Sequence, residues 1–366
     1  MKNKVIEDIK NNKYFIDIHS HIFNYQHVPD GFVGLRLPFT KRFLTFLEHI
    51  THFFGVFIDS SYGASRFLDR FNDKNQATVL RRMENDNSKN GQMAFVILTM
   101  DMTNSVKGTM KSTFESQIRE VAMITDLYNN HNTTKVLPFL CLNPRNPAMK
   151  SLFFKWMVKE NNTFYGVKIY PPLGYFPSHP NLMEIYEYCQ ENRIPVLAHC
   201  GRSPLHASDK VMECVPRVTV NKYGHDTIVY NDYKFPNSDS YGEVFAHPLN
   251  WCDVLRKYPR LKLDLAHIGG AEEIEKYGTS FSWVDDVLDL CNSYENVYTD
   301  FSFAISKKEV YDRIIKLYKS NVFHNKLLYG SDNYMITLNC NPEKLYAKIR
   351  KDLPELNTDN AKRYLF

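Results

Sequence analysis

The sequence contains no run of eighteen or more apolar residues, so no membrane-spanning helix is expected. Its opening residues, Met1-Lys2-Asn3-Lys4-Val5-Ile6-Glu7-Asp8, lack the apolar centre of a secretory signal. The seven cysteines are odd in number and include no Cys-x-x-Cys pair. They read as reduced thiols rather than a disulfide frame, and the expected setting is cytoplasmic. Cys200, next to His199, reads as a packing residue. An excess of one charge is also missing: 45 Lys and Arg stand against 41 Asp and Glu, a formal net charge of +4. The basic residues are scattered rather than striped, so nucleic acid is not an expected partner. There is no Gly-x-Ser-x-Gly elbow, which argues against a serine hydrolase. Neither internal repeats nor low-complexity tracts are present.

What the chain does have is enough apolar sequence for a large core, 43% of 366 residues. Short strand-like runs recur with helix-like segments between them. Strands are expected at 14–18, 93–99, 136–142, 165–169, 195–199, 262–267, 297–302 and 326–331. Segments 112–128, 147–160, 180–192, 308–319 and 342–351 carry apolar residues near helical spacing. Strand–helix alternation repeated eight times predicts an α/β fold, a (β/α)8 TIM barrel. One barrel domain is expected over 1–366, with long insertions at about 22–92 and 200–260. Both insertions follow the carboxyl ends of strands and are expected to overlie the mouth. The apolar segment 41–58 reads as a helix packed on the barrel or on a subunit partner, so a homo-oligomer is compatible with it. Segment 216–243 reads as an ordered loop or short hairpin.

The chemistry-bearing residues sit where these strands end. Asp17-Ile18-His19-Ser20-His21 closes the first strand. His19 and His21 are two apart, so on an extended backbone they share a face. Pro195-Val196-Leu197-Ala198 leads into His199, and Leu263-Asp264-Leu265-Ala266 into His267. Leu327-Leu328-Tyr329-Gly330-Ser331 leads into Asp332, and Gly166-Val167 into Lys168. His19, His21, His199 and Asp332 are residue types that hold a divalent ion while leaving a position open for water. Such water ionises near neutral pH and becomes a nucleophile, and Asp332 could take its proton and pass it to a leaving group. Arg145, Tyr170 and Arg202 lie just past strand ends and are candidate substrate contacts, the arginines as carboxylate forks. A structural ion pair is the competing reading for each arginine. His247 reads as structural. His225, in the polar loop, is a residue that could line the mouth.

These segments together resemble the amidohydrolase superfamily, and more closely its amidohydrolase-related branch. The resemblance rests on His19-Ser20-His21, Gly166-Val167-Lys168, Pro195 to His199, Ala266-His267-Ile268-Gly269-Gly270, Gly330-Ser331-Asp332 and the ending Asn360 to Phe366. It implies a metal-dependent barrel acting on a small molecule. It also implies His267 as a second-ion ligand or substrate contact, and Lys168 as a lysine whose carbamate could bridge two ions. The first expectation is a hydrolase attacking an amide, lactone or ester carbonyl through metal-bound hydroxide. The alternative is a nonoxidative decarboxylase of an unsaturated or aromatic acid, with one ion. A catalytically silent, ligand-binding barrel is the third reading. Zinc is the first expectation for the ion, one or two per chain; manganese, iron and cobalt accept the same ligands.

Overall fold

The computed structural model describes residues 2–29, 61–87, 91–105, 108–159, 163–202, 238–353 and 359–366, with short stretches at 205–207, 219–222 and 226–229 and the single residues 89 and 356. Ten strands run through these residues. They are β1 Phe15–Ser20, β2 Met93–Leu98, β3 Lys135–Leu142, β4 Gly166–Ile169, β5 Val196–Gly201, β6 Thr219–Lys222, β7 Asp226–Val229, β8 Leu263–Gly269, β9 Val297–Asp300 and β10 Leu327–Leu328. Eight of them form one parallel sheet in the order β1-β2-β3-β4-β5-β8-β9-β10. The ring is completed where β1 meets the chain leaving β10. There Ile18 N donates to Tyr329 O at 3.0 Å, and Ser20 bridges Asn333 in parallel. This is the TIM barrel that the strand–helix alternation predicts, and each strand lies within a few residues of its expected place.

The sequence period of two explains the layering. Ile16, Ile18, Ala94, Val96, Leu98, Leu137, Phe139, Leu197, Tyr298 and Leu328 fill the barrel interior. Their neighbours Phe15, Phe95, Ile97, Val136, Leu140, Val167, Val196, Leu263, Leu265 and Leu327 pack outward in a second, larger cluster with the helices. Strands covered on both faces read as continuous apolar runs, which is why they were visible in the sequence. Helix Lys2–Asn11 gives Val5 and Ile9 to the inner cluster, and helix Asp359–Leu365 gives Ala361, Tyr364 and Leu365. Lys2 Nζ donates to Phe164 O just before β4, and Asn360 Nδ2 to Leu327 O. These two helices therefore plug the amino-terminal end of the barrel, and the mouth lies at the other end.

Helices Phe114–His131, Pro180–Glu191, Lys308–Lys319 and Pro342–Asp352 match the expected segments. Three begin with a side-chain cap on a backbone amide: Thr113 on Ser116, His179 on Asn181 and Asn341 on Lys344. Segment 147–160 differs: an α-helix, Met149–Phe153, widens into a π-helix, Phe154–Lys159. The insertion after β1 contains helices Ser61–Phe71 and Gln76–Asp86; its apolar stretch 41–58 lies outside the described residues. Helix Ser61–Phe71 packs beside the turn Met335–Leu338, with Phe67 5.3 Å from the Tyr334 ring. The insertion after β5 contains the antiparallel pair β6–β7, within the segment read as a loop or hairpin, and helices Ser238–Ala246 and Cys252–Lys257. No helix among the described residues is long and apolar enough to cross a membrane.

Candidate metal centre

Two strand ends, those of β1 and β10, bring His19, His21 and Asp332 together, with one ligand atom of each inside a 4.8 Å group. Asp332 Oδ1 lies 3.3 Å from His21 Nε2 and 3.7 Å from His19 Nε2. Two donor atoms on one tetrahedral ion stand roughly 3.3–3.6 Å apart, because each sits about 2.0–2.2 Å from the metal. The spacing therefore fits one divalent ion. The histidine pair does not reach this geometry by plain alternation, since the β1–β2 register shifts between Asp17 and Ser20. Gly330 lets the last strand come close: a Cβ there would lie 2.6 Å from the Cβ of His19 and 3.1 Å from that of Ser302.

The other nitrogen of each imidazole is fixed by the protein. His19 Nδ1 meets Asp300 Oδ2 at 2.9 Å, and His21 Nδ1 donates to the Leu98 carbonyl at 3.2 Å. Each neutral ring thus turns a lone pair on Nε2 towards the common point, the arrangement metal-binding histidines use. Burial holds the His19 imidazole down to about 3, and Lys168 adds to this against the opposing pull of Asp300. Burial would raise the Asp332 carboxyl. The nearness of His21, then of His19 and His267, outweighs that and holds it below the usual carboxylate range. A neutral His19 imidazole beside an ionised carboxylate is the pair of protonation states a cation needs.

The opposite side of the mouth carries Lys168, His199 and His267. His267 Nδ1 donates to the Ser302 carbonyl at 3.0 Å, leaving Nε2 facing His199 Nδ1 at 3.1 Å. Burial lowers both imidazoles, His199 well below its ordinary value, and each is lowered further by Lys168. His19, His267 and Asp300 form a second group within 4.8 Å. His199 belongs to neither group. Lys168 is inward on β4, level with Cys141 and Leu197, 1% exposed, and its Nζ has no hydrogen-bond partner among the described residues. Burial lowers this amine to about 8, against the opposing pull of Asp300 and Asp332. A buried amine without a partner is costly to leave so.

Backbone strain concentrates here. His267, Ile268 and Asp332 adopt φ of 72°, 51° and 57°, a left-handed region that side chains disfavour. A cavity lined by Gly201, Arg202, His267, Glu272, Ser302 and Phe303 opens beside His267.

The softer candidates fall differently. Tyr170 packs its ring 4.7 Å from that of His199. Arg202 reaches the cavity, but its guanidinium meets Glu272 at 2.6 Å and Glu243 at 3.4 Å. Arg145 Nη1 donates to Leu173 O at 2.6 Å. His247 caps the turn Pro248–Trp251, accepting from Leu249 N. Cys200 is fully buried in the outer core. His225 and Cys214 lie outside the described residues.

Sequence reasoning missed Asp300 and Ser302. Asp300 Oδ1 accepts from His267 N and Ser302 N, while Oδ2 holds His19. Ser302 Oγ lies 3.1 Å from His19 Nδ1 and 2.8 Å from His267 Nδ1, and it also bonds Asp300 Oδ1. The available signal was an acid at the end of a strand, Val297–Asp300, for which no site residue was named.

A family profile described as "Amidohydrolase" matches residues 153–365. No curated protein matches the sequence. Among solved structures, an uncharacterised TIM-barrel protein from Bordetella bronchiseptica is similar at 14% identity and TM-score 0.56, over 96% of this chain and 98% of that one. A 5-carboxyvanillate decarboxylase from Novosphingobium aromaticivorans, complexed with manganese and 4-hydroxy-3-methoxy-5-nitrobenzoic acid, is similar at 13% identity and TM-score 0.53, over 97% and 94%. An amidohydrolase from Burkholderia multivorans with bound zinc is similar at 10% identity and TM-score 0.53, over 97% and 96%. At these identities the likeness speaks to the fold.

Proposed function

The chain belongs to the amidohydrolase family, and from that premise we propose that it is a metal-dependent hydrolase of an amide, lactone or ester of a small molecule. The observation that carries this reading is the unpartnered amine of Lys168, buried beside two sets of ligand-type residues. His19, His21 and Asp332 would hold one divalent ion, and His199 and His267 a second. The 3.1 Å between the facing nitrogens of His199 and His267 is close to what a shared ion needs. An ammonium would repel a second cation. An amine lowered to about 8 has a sizeable neutral fraction near pH 7–8, and its carbamate would be an anion able to bridge two ions. Zinc is the first candidate. Divalent ions bound in this way polarise a carbonyl oxygen and lower the pKa of water. Asp332, held ionised, is placed to take a proton from attacking water and return it to the leaving group. His267, fixed through Ser302, faces the cavity where the carbonyl would sit. Tyr170 would offer its edge to the substrate from the His199 side. Arg145 and Arg202 stay candidate substrate contacts of lower weight, since Leu173 O, Glu243 and Glu272 occupy them.

A second reading is favoured by the decarboxylases among the similar folds. Here one ion at His19, His21 and Asp332 suffices, and Lys168 remains an ammonium that neutralises the carboxylate of an unsaturated or aromatic acid. The two readings part on ion count and product. Purified protein, analysed for metal and offered lactones, amides and aromatic acids, should hold about two ions per chain and open a carbonyl substrate without releasing CO2. One ion per chain with CO2 released from an acid, and no hydrolysis, would replace the first reading by the second.

A further inference from the structure

The seam between β1 and β10 is closed by a few backbone hydrogen bonds to the segment after β10, and it carries three of the proposed ligands. β10 has only two residues, Leu327–Leu328, and no strand ladder joins it to β1. A buried carboxylate stands in the gap. Asp17 Oδ1 accepts from His19 N at 3.2 Å and from Ser331 N at 3.0 Å. Its Oδ2 accepts from Ser331 Oγ and from Tyr346 Oη, both at 2.6 Å. Ser331 Oγ in turn accepts from Asn333 N at 2.9 Å. Asp332 lies between these two anchored residues in its left-handed conformation, with Asp332 N donating to His19 O at 2.7 Å and His21 N donating to Asn333 O at 2.5 Å. A strained residue keeps such a conformation only where its surroundings over-determine it.

We propose that Asp17 is a positioning residue that sets the spacing of His19 and His21 against Asp332, with Tyr346 as its support from the outer helix. The inference rests on the reading that these three residues hold an ion. A carboxylate offers acceptors only, and its four hydrogen bonds here come from two backbone N–H groups, which can only donate, and from two hydroxyls that donate to it. Two of them hold the backbone of β1 and of the segment after β10 to the same oxygen, which does the work of a missing ladder. A third, from Ser331 Oγ, holds the segment after β10 a second time, and the fourth ties the pair to helix Pro342–Asp352, whose Tyr346 ring packs 5.8 Å from Phe15 and 5.5 Å from Tyr329. An asparagine at this position would keep one acceptor oxygen for the two N–H groups, but its NH2 would force the Ser331 and Tyr346 hydroxyls to turn and accept, and Ser331 Oγ already accepts from Asn333 N. The ligand-bearing segments would then separate or rotate.

The test is a cobalt(II) titration of the metal-stripped full chain, read by the visible band of the bound ion and by thermal unfolding of the apo protein. Replacing a residue that orients metal ligands typically weakens binding about 10–100-fold. Asp17→Asn should fall in that range and shift the band. Tyr346→Phe should shift both in the same direction by less, and it serves alone if Asp17→Asn does not fold. Ile349→Val, a packing change on the same helix, should leave affinity and band as in the wild type. Wild-type affinity and spectrum in Tyr346→Phe and in any folded Asp17→Asn, whatever the loss of melting temperature, would overturn the proposal. Wild-type protein that takes up no cobalt, or takes it up equally after His19→Ala/His21→Ala, would remove the ligand reading and this inference with it. That result is seen before any Asp17 variant is made, so the two failures are distinct.

Discussion

Where β1 meets β10, the non-ligand nitrogens of His19 and His21 are each held by a protein acceptor, and the backbone beneath them is tied by Asp17. Where β4, β5 and β8 end, His199 and His267 face one another and the Lys168 amine has no partner. Both sides are equally buried. The difference lies in what holds the ligand-type side chains: protein acceptors fix His19 and His21, whereas the Lys168 amine on the other side has no hydrogen bond among the described residues. An unsatisfied buried amine is expensive, and with His199 and His267 beside it the proposed reading completes it from outside the chain. On the proposed reading the first side is a ready ligand set, and the second would be completed by carbamate and ion or by the anionic part of a substrate.

The sharpest way to break this contrast is to remove the fixed side. His19→Ala/His21→Ala should reduce bound metal and turnover to background while the far-ultraviolet circular dichroism of the barrel stays. Full metal content in the double variant would mean that the fixed side is not the metal site. Next in size is Asp332→Asn, which keeps the shape and one ligand oxygen but cannot carry a proton at neutral pH. Turnover should fall by about 10²–10⁴ while metal content falls far less. Parallel loss of both would leave Asp332 a ligand without a proton role.

The open side predicts a pH effect. An unfolded lysine keeps its proton to about 10.5, whereas folded Lys168 keeps it only to about 8. Burying this amine therefore costs stability in full below pH 8, and the cost fades as pH rises towards 10.5. With chelator present and CO2 removed, Lys168→Met should be more stable than the wild type at pH 7, by up to about 3 kcal/mol. The gap should narrow by pH 10 in urea unfolding. A gap that does not change with pH would mean that Lys168 is partnered in solution. The smallest effect is expected from Arg202→Met. Its guanidinium is already committed to Glu272 and Glu243, and a partly exposed pair of this kind contributes little. Turnover should change by less than about threefold; a large rise in KM for acidic substrates alone would give Arg202 the carboxylate role.

Legibility in the sequence followed the range of the interactions. The strands were readable because both faces are buried, and the ligand types because each closes its own strand. Lys168 stood out as a charge at the end of an apolar run. Asp300 did not, since its role depends on His19, some 281 positions away, and on His267 across the β8–β9 boundary. The commitment of Arg202 to Glu243 and Glu272 was hidden for the same reason, as was the reach of Tyr346 through the wall to Asp17. Alternation correctly put His19 and His21 on one side of the mouth, but the register shift after Asp17 has no local sequence mark.

On the proposed reading an ion sits at His19, His21 and Asp332, and the open side is completed around Lys168. Anomalous diffraction at the absorption edge of the native metal tests it directly. The account predicts one peak within bonding distance of His19 Nε2, His21 Nε2 and Asp332. It predicts a second between His199 and His267, with planar density extending from Lys168 Nζ. A single peak at the first position with a bare amine would keep the metal site and move the chain to the decarboxylase reading. Metal elsewhere, or none in protein purified without chelator, would contradict the account.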